Sequence, residues 1–365
     1  MRKILGAALG ALLFGVLPAS ADEAGRQRVA RYFTEWYSVC PGNRVTVAEA
    51  KEVAIPGFTA YRTERTCEFK NRNESNVTLV DEAGKRIFVG QVLHDDTRQD
   101  KPFSAAADVP TIRGVLADVF GLPAAVSVRA GAEGSLIPLD IKLQEAPGAA
   151  ATLPGYVSRD GASILLGDFF PLDVPPSATR AKLIADAPAG PAPAKKAAFV
   201  VTAFIDFQCE RCRVRTPQIR DFVFTHGGRL ETRFLPLVKI HDWSFAAAES
   251  AAALENLSPQ LEDNYERAIF PKASAMNAAA ARQLAVDVAE AAGQKKAFEE
   301  EIASGRARDR VLADVDLALR LGLNGTPMFF FRGEWLTAEP ELVEKTIEDR
   351  LSRGGKPSAA GSSRP

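Results

Sequence analysis

The chain has 365 residues, 46% of them hydrophobic and 25% charged, with 45 basic side chains against 46 acidic ones. That is the composition of a globular protein, not a disordered one, and the length corresponds to two or three domains of about 100–200 residues each. Near-neutral charge excludes the basic footprint of a nucleic-acid binder, and four cysteines are too few for a disulfide scaffold.

Met1-Arg2-Lys3, the apolar run Ile4 to Leu17 and the small-residue site Ala19-Ser20-Ala21 read as a secretory signal peptide over residues 1–21. The run is too short for a comfortable membrane span, and no other run in the chain is longer. Removal of that segment leaves 344 residues and places the mature protein in the periplasm.

The next 150 residues carry a faint repeat. Val80, Gly84, Ile87 and Gly90 in VDEAGKRIFVG match Val157, Gly161, Ile164 and Gly167 in VSRDGASILLG without a gap. Each stretch reads as strand, glycine turn and apolar strand, a hairpin signal. Ile55-Pro56 and Ile137-Pro138 precede a strand in each copy, and helical patterns lie further upstream at Val29 to Tyr37 and Ile112 to Phe120. Helix, strand and hairpin thus occur twice, which predicts two small α+β modules at residues 22–100 and 101–175. Residues 176–197 form a Pro/Ala linker, with a short helix at Ala178 to Ala185 followed by the extended spacer DAPAGPAPAKK.

From residue 198 the pattern alternates between strand and helix. Phe199 to Phe207 is a buried strand, and a helix follows from Cys209 to about Phe224. Leu230 to Leu237 is the next strand. Ser244 to Phe298 is Ala-rich and too long for one crossover, so it reads as an inserted helical subdomain. A helix at Val311 to Leu321, an aromatic strand at Pro327 to Phe331, a turn at Arg332-Gly333 and a helix at Pro340 to Leu351 close the domain at residue 353. The Gly, Ser and Pro of residues 354–365 predict a disordered tail.

Cys209-Glu210-Arg211-Cys212 is the sharpest chemical signal, because it follows a buried strand and opens a helix. A helix N-terminus favours an anion and lowers the first thiol's pKa, while the second sulfur sits one turn on, where it can resolve a disulfide. Cys209 is therefore the expected nucleophile and Cys212 the buried resolving thiol. Arg211 favours the Cys209 thiolate and Glu210 opposes it. Structural zinc lacks ligands, since the remaining cysteines lie 27 positions apart and the only histidines are His94, His226 and His241; haem attachment needs a histidine where Arg213 stands. A purely structural Cys209–Cys212 bridge is the other alternative. Cys40, in a polar turn, and Cys67, in a charged strand, read as a structural disulfide in an oxidising compartment, contributing about 3 kcal/mol. Asp206, three positions before Cys209, reads equally as a turn acid or as a proton-transfer group.

Phe204 to Cys212 (FIDFQCERC), Gly322 to Phe331 (GLNGTPMFFF) and the run Phe234 to Ala253, with Pro236 and His241, resemble the DsbA-like branch of the thioredoxin superfamily over residues 198–352. The resemblance implies an α/β thioredoxin fold with an inserted helical subdomain, and a cis bond between Thr326 and Pro327 that lies against the active-site pair and offers backbone groups to an extended substrate. Two features depart from the family. Ala203 stands where thioredoxin and DsbA carry a buried acid, and Glu-Arg is unlike the usual dipeptides between the cysteines. The N-terminal modules, the second more clearly, resemble the cystatin-like N-terminal domain of DsbC and DsbG. That implies dimerisation through these modules, or a dimer mimicked inside one chain.

The expected function is periplasmic thiol–disulfide exchange on cysteine-containing exported proteins, with a membrane redox partner and without a bound cofactor, metal or nucleic acid. Isomerase or reductase is the first subtype, on Thr326 and the modules; a DsbA-like oxidase is the alternative. A holdase with incidental thiols is the reading from a different class.

Overall fold

The computed structural model describes residues 21–37, 43–67, 72–95, 103–131, 134–143, 152–191, 197–323, 325–336 and 339–352. Most of the signal segment, Cys40, residues 192–196 of the linker and the tail lie outside the described residues. So does the side chain of Cys67, and with it the Cys40–Cys67 pairing.

The N-terminal half builds one eight-stranded antiparallel sheet. Helix α1 (Ala21–Trp36) precedes β1 (Arg44–Glu49), β2 (Phe58–Cys67), β3 (Arg72–Asp81) and β4 (Arg86–His94). Helix α2 (Ala105–Phe120) precedes β5 (Ala124–Val128), β6 (Leu136–Leu143), β7 (Thr152–Ser158) and β8 (Ser163–Pro171). The strand order β1-β2-β3-β4-β8-β7-β6-β5 joins two four-stranded meanders through their last strands. Both hairpins of the repeat turn alike: Gly84 N–H donates to Asp81 at 2.8 Å and Gly161 N–H to Ser158 at 2.7 Å, both glycines at positive φ.

The repeat and the register together define a pseudo-twofold axis. Matched residues lie 77 positions apart, and the ladder pairs Gly90 with Gly167, its own counterpart. Both glycines have positive φ, 155° and 146°. A Cβ at Gly90 would sit 2.1 Å from the Leu166 carbonyl oxygen, and one at Gly167 would sit 2.3 Å from that of Val89. Leu166 and Val89 are themselves counterparts, so the same close backbone approach is made twice across the axis.

Helix α3 (Pro176–Asp186) leads into the C-terminal half and contains the short helix expected at Ala178 to Ala185. Arg180 is fully buried, its Nε donating to the Gly333 carbonyl at 2.7 Å and Nη1 to the Trp36 carbonyl at 3.0 Å. The linker's first half is thus a packed strut between halves, because Thr179, Arg180 and Pro176 bury one face.

The second sheet has the order β10-β9-β11-β12, formed by β9 (Val200–Ile205), β10 (Arg229–Phe234), β11 (Met328–Phe331) and β12 (Glu334–Leu336). β10 runs parallel to β9, while β11 and β12 are antiparallel. α4 (Glu210–Thr225) and α10 (Pro340–Ser352) pack on one face with the helical insertion: α5 (Ser244–Leu257), α6 (Pro259–Ile269), a 3₁₀ turn (Phe270–Ala275), α7 (Ala278–Ala291) and α8 (Lys295–Ser304). Buried alanines of α5, Ala247 to Ala253, let its neighbours approach closely. α9 (Arg306–Arg320) lies between the two sheets. Its Leu312, Val315 and Ala318 share a core with Val157 and Leu166 on one side and Phe204 and Phe330 on the other. Among the described residues no helix is long and apolar enough to cross a membrane.

Candidate active site

β9 ends at Ile205 and is followed by the buried Asp206 and Phe207, and Cys209 is the N-cap of α4. Phe207 anchors the turn in an aromatic cluster with Phe234, Tyr265 and Phe270. Cys209 N–H donates to the Asp206 carbonyl at 3.1 Å, and Arg213 N–H to the Cys209 carbonyl at 3.1 Å, which starts the helix. Both cysteines are thiols; Cys209 is half-buried and Cys212 fully buried.

The Thr326–Pro327 bond is cis, and the Cys209 thiol lies 3.6 Å from the Thr326 carbonyl oxygen. The two motifs, 117 residues apart, therefore meet at one sulfur. The Cys209 thiol is pulled down to about 5, first by the hydrogen bond from the Cys212 thiol, then by the Thr326 side chain and the backbone N–H groups of Cys212 and Arg211, against an opposing push from burial. Burial, together with the neighbouring Cys209, pushes the Cys212 thiol well above its ordinary value. One sulfur is thus a ready nucleophile and the other is held protonated in reserve. Glu210 is exposed and pairs with Arg213 at 3.4 Å, and Arg211 is exposed too, so both intervening side chains face solvent. It is the backbone of Arg211, through its N–H, that acts on the thiolate.

Asp206 has two readings from the sequence alone, and Gln208 has none. The Asp206 carboxylate is buried, accepting from Gln208 N–H at 2.7 Å and Leu237 N–H at 2.8 Å, with His241 Nδ1 2.8 Å away. Its own N–H donates to Cys212 Sγ at 3.4 Å. Gln208 donates to Asp242 at 3.0 Å and accepts from Trp243 N–H at 3.1 Å. These bonds stitch the catalytic turn to the loop after β10. The opposite side of that loop touches the second module, where a Cβ on Gly121, the C-cap of α2, would lie 2.9 Å from Lys239 Cγ.

Residues 193–349 match the family model described as Thioredoxin. A curated relative, the Na(+)/H(+) antiporter NhaA 3 of Salinispora tropica, is 28% identical over 145 residues, which is 38% of this chain and 21% of the length of that protein. Among solved structures, a thioredoxin-like oxidoreductase from Silicibacter pomeroyi is 21% identical, with a TM-score of 0.38 over 49% of this chain and 99% of that one. The thiol-disulfide exchange protein alpha-DsbA2 from Wolbachia pipientis is 16% identical, with a TM-score of 0.37 over 47% of this chain and 96% of its own.

Proposed function

We propose that residues 193–349, which match the thioredoxin family model, form a thioredoxin-type catalytic domain and that the protein is a thiol–disulfide oxidoreductase acting on exported, cysteine-containing proteins, with isomerase or reductase as its subtype. The observation that carries this reading is the split between the two sulfurs: an accessible thiolate at Cys209 and a buried, protonated Cys212. The Cys209 thiolate attacks a substrate disulfide, one substrate sulfur leaves as thiolate, and the Cys209–substrate disulfide forms. Cys212 then loses its proton and attacks Cys209 Sγ, which releases the second substrate sulfur and leaves the Cys209–Cys212 pair oxidised. Export across the inner membrane and re-reduction by a membrane partner belong to this reading.

Isomerase chemistry is favoured by the eight-stranded platform that reaches the active-site loop through Gly121 and Lys239. In this reading the modules are the cystatin-like substrate-holding domains, and their pairing edges β4 and β8 are already joined within one chain. A monomer by light scattering is expected; a dimer would return the pairing to two chains. A DsbA-like oxidase is the second reading, favoured by the low Cys209 pKa, which stabilises the reduced form. Parallel refolding of scrambled and of fully reduced ribonuclease separates the two. Isomerase predicts acceleration of the scrambled substrate in glutathione buffer, and acceleration of the reduced substrate alone would assign the oxidase.

A further inference from the structure

Thr326 sets its carbonyl oxygen 3.6 Å from the Cys209 sulfur, and its hydroxyl is buried with no other hydrogen-bond partner among the described residues. The ladder between β11 and β9 begins only at Met328, so strand pairing does not by itself fix Thr326. The chain on either side of β11 is held from the first module. At the end of α1, the Trp36 indole N–H donates to the carbonyl of Leu321, the C-cap of α9, at 3.3 Å. Gly322 packs on the same ring, since a Cβ there would lie 3.6 Å from Trp36 Nε1 and 3.9 Å from Val89 Cγ1. The Trp36 carbonyl accepts from Arg180 at 3.0 Å, and Arg180 in turn donates to the carbonyl of Gly333, in the turn after β11. Both ends of the segment that carries Thr326 therefore converge on one fully buried residue, 285 positions from Leu321. The indole is itself fixed, stacked on Tyr32 and Phe170 with the Arg180 guanidinium 5.3 Å from its centre.

We propose that Trp36 is a positioning residue for the Cys209 thiol: it holds Leu321 through its N–H and Gly333 through Arg180, and so keeps Thr326 against the sulfur. The first module thereby tunes the reactivity of the catalytic domain. The proposal deepens the thiol-exchange reading and rests on it for its consequence in catalysis. After the Cys212 thiol, the Thr326 side chain is the next group that holds the Cys209 thiolate, so a loosened Thr326 raises the pH at which that thiolate forms. The ionisable groups about Cys209 are Asp206 before it, Glu210, Arg211, Cys212 and Arg213 on its helix, and Lys239, His241 and Asp242 on the loop after β10; the segment Gly325 to Met328 carries none. The substitutions below leave all of them in place.

The test is the rate of iodoacetamide labelling of Cys209 in the reduced full chain, at about pH 5 and about pH 8, in wild type, Trp36→Phe, Arg180→Met and Leu79→Val. Trypsin cuts at Arg211, so mass spectrometry reads Cys209 apart from Cys212. Trp36→Phe keeps a stacked aromatic ring and removes the N–H. Leu79 is buried in the separate core on the other face of the large sheet, and its variant controls for loosening of the first module. An indirect contact of ordinary strength predicts labelling about threefold slower at about pH 5 in Trp36→Phe and Arg180→Met, and rates close to wild type at about pH 8, where the thiol is ionised in every variant. Leu79→Val should follow wild type at both. Unchanged labelling of Trp36→Phe at the lower pH would overturn the proposal. Equal slowing at both pH values, which is lost access, would overturn it too, as would matching slowing in Leu79→Val. If circular dichroism shows that Trp36→Phe does not fold, Arg180→Met decides by the same criterion. Wild type that labels rapidly at Cys209 yet fails to reduce insulin would sink the thiol-exchange reading and leave the Trp36 contact chain standing, so the two failures are distinct.

Discussion

Replacing Cys212 probes the origin of the Cys209 thiolate. The largest stabilising influence on that anion is the hydrogen bond from the Cys212 thiol. Cys212→Ala removes the donor, whereas Cys212→Ser keeps one of similar reach. A hydrogen bond to a charged group is worth about 1.5–3 kcal/mol, and one pKa unit corresponds to about 1.4 kcal/mol, so the full loss would be about one to two units. Cys209 is only half-buried, and water replaces part of what is lost, which leaves about one unit. The midpoint should therefore move from about 5 to near 6 in Cys212→Ala and stay near 5 in Cys212→Ser. The far-ultraviolet absorbance of the thiolate against pH reads this directly, and the pH dependence of iodoacetamide labelling checks it. An unshifted midpoint in Cys212→Ala, or an equal shift in both variants, would refute the Cys212 hydrogen-bond account and leave the Thr326 side chain and the helix N-terminal amides as the causes.

The depressed Cys209 pKa also couples stability to pH. Because the folded value lies below the unfolded one, its contribution is complete above about 9 and is lost as pH falls through about 5. The melting-temperature gap between reduced wild type and reduced Cys209→Ser should widen from about pH 5 to about pH 9; a constant gap would contradict the shift. The pseudo-twofold axis predicts that Gly90→Ala and Gly167→Ala destabilise comparably, by about 2–4 kcal/mol each, since each Cβ meets a carbonyl across the seam. Thermal melts check this, and a loss confined to one site would break the symmetry argument. Arg180→Met should cost about 2–3 kcal/mol by leaving the Gly333 and Trp36 carbonyls without their buried donor. Limited proteolysis near residues 186–198 should accelerate in this variant, and unchanged cleavage would mean that the strut is held by packing alone.

What could be read from the sequence follows the range of each interaction. Cys209 and Cys212 announce themselves locally, because strand end, N-cap and one helical turn all fall within a few residues. Thr326 and Pro327 were placed through resemblance, since nothing local says which sulfur they will meet. Asp206 stayed ambiguous because its character depends on Leu237 and His241, which arrive from the loop after the next strand. The paired hairpins were visible as glycine-marked repeats, but their fusion through Gly90 and Gly167 was not, since one turn's signal carries no information about which edge pairs with which. Of the strands the sequence does not announce, β1 and β5 are the two ends of the large sheet, where a strand has one neighbour and exposes more of its residues, and β12 is a three-residue edge of the second sheet. Helix α3 was foreseen as a short helix, but its role as a packed strut depends on Trp36 and Gly333, each more than a hundred residues away.

The account stands or falls on Cys209 as the nucleophile. Insulin-disulfide reduction with a dithiol donor, run on wild type and Cys209→Ser, measures this most directly. The account predicts catalysis by wild type and the uncatalysed rate with Cys209→Ser. Activity that survives the substitution would contradict it and return the protein to a binding role in which the thiols are incidental.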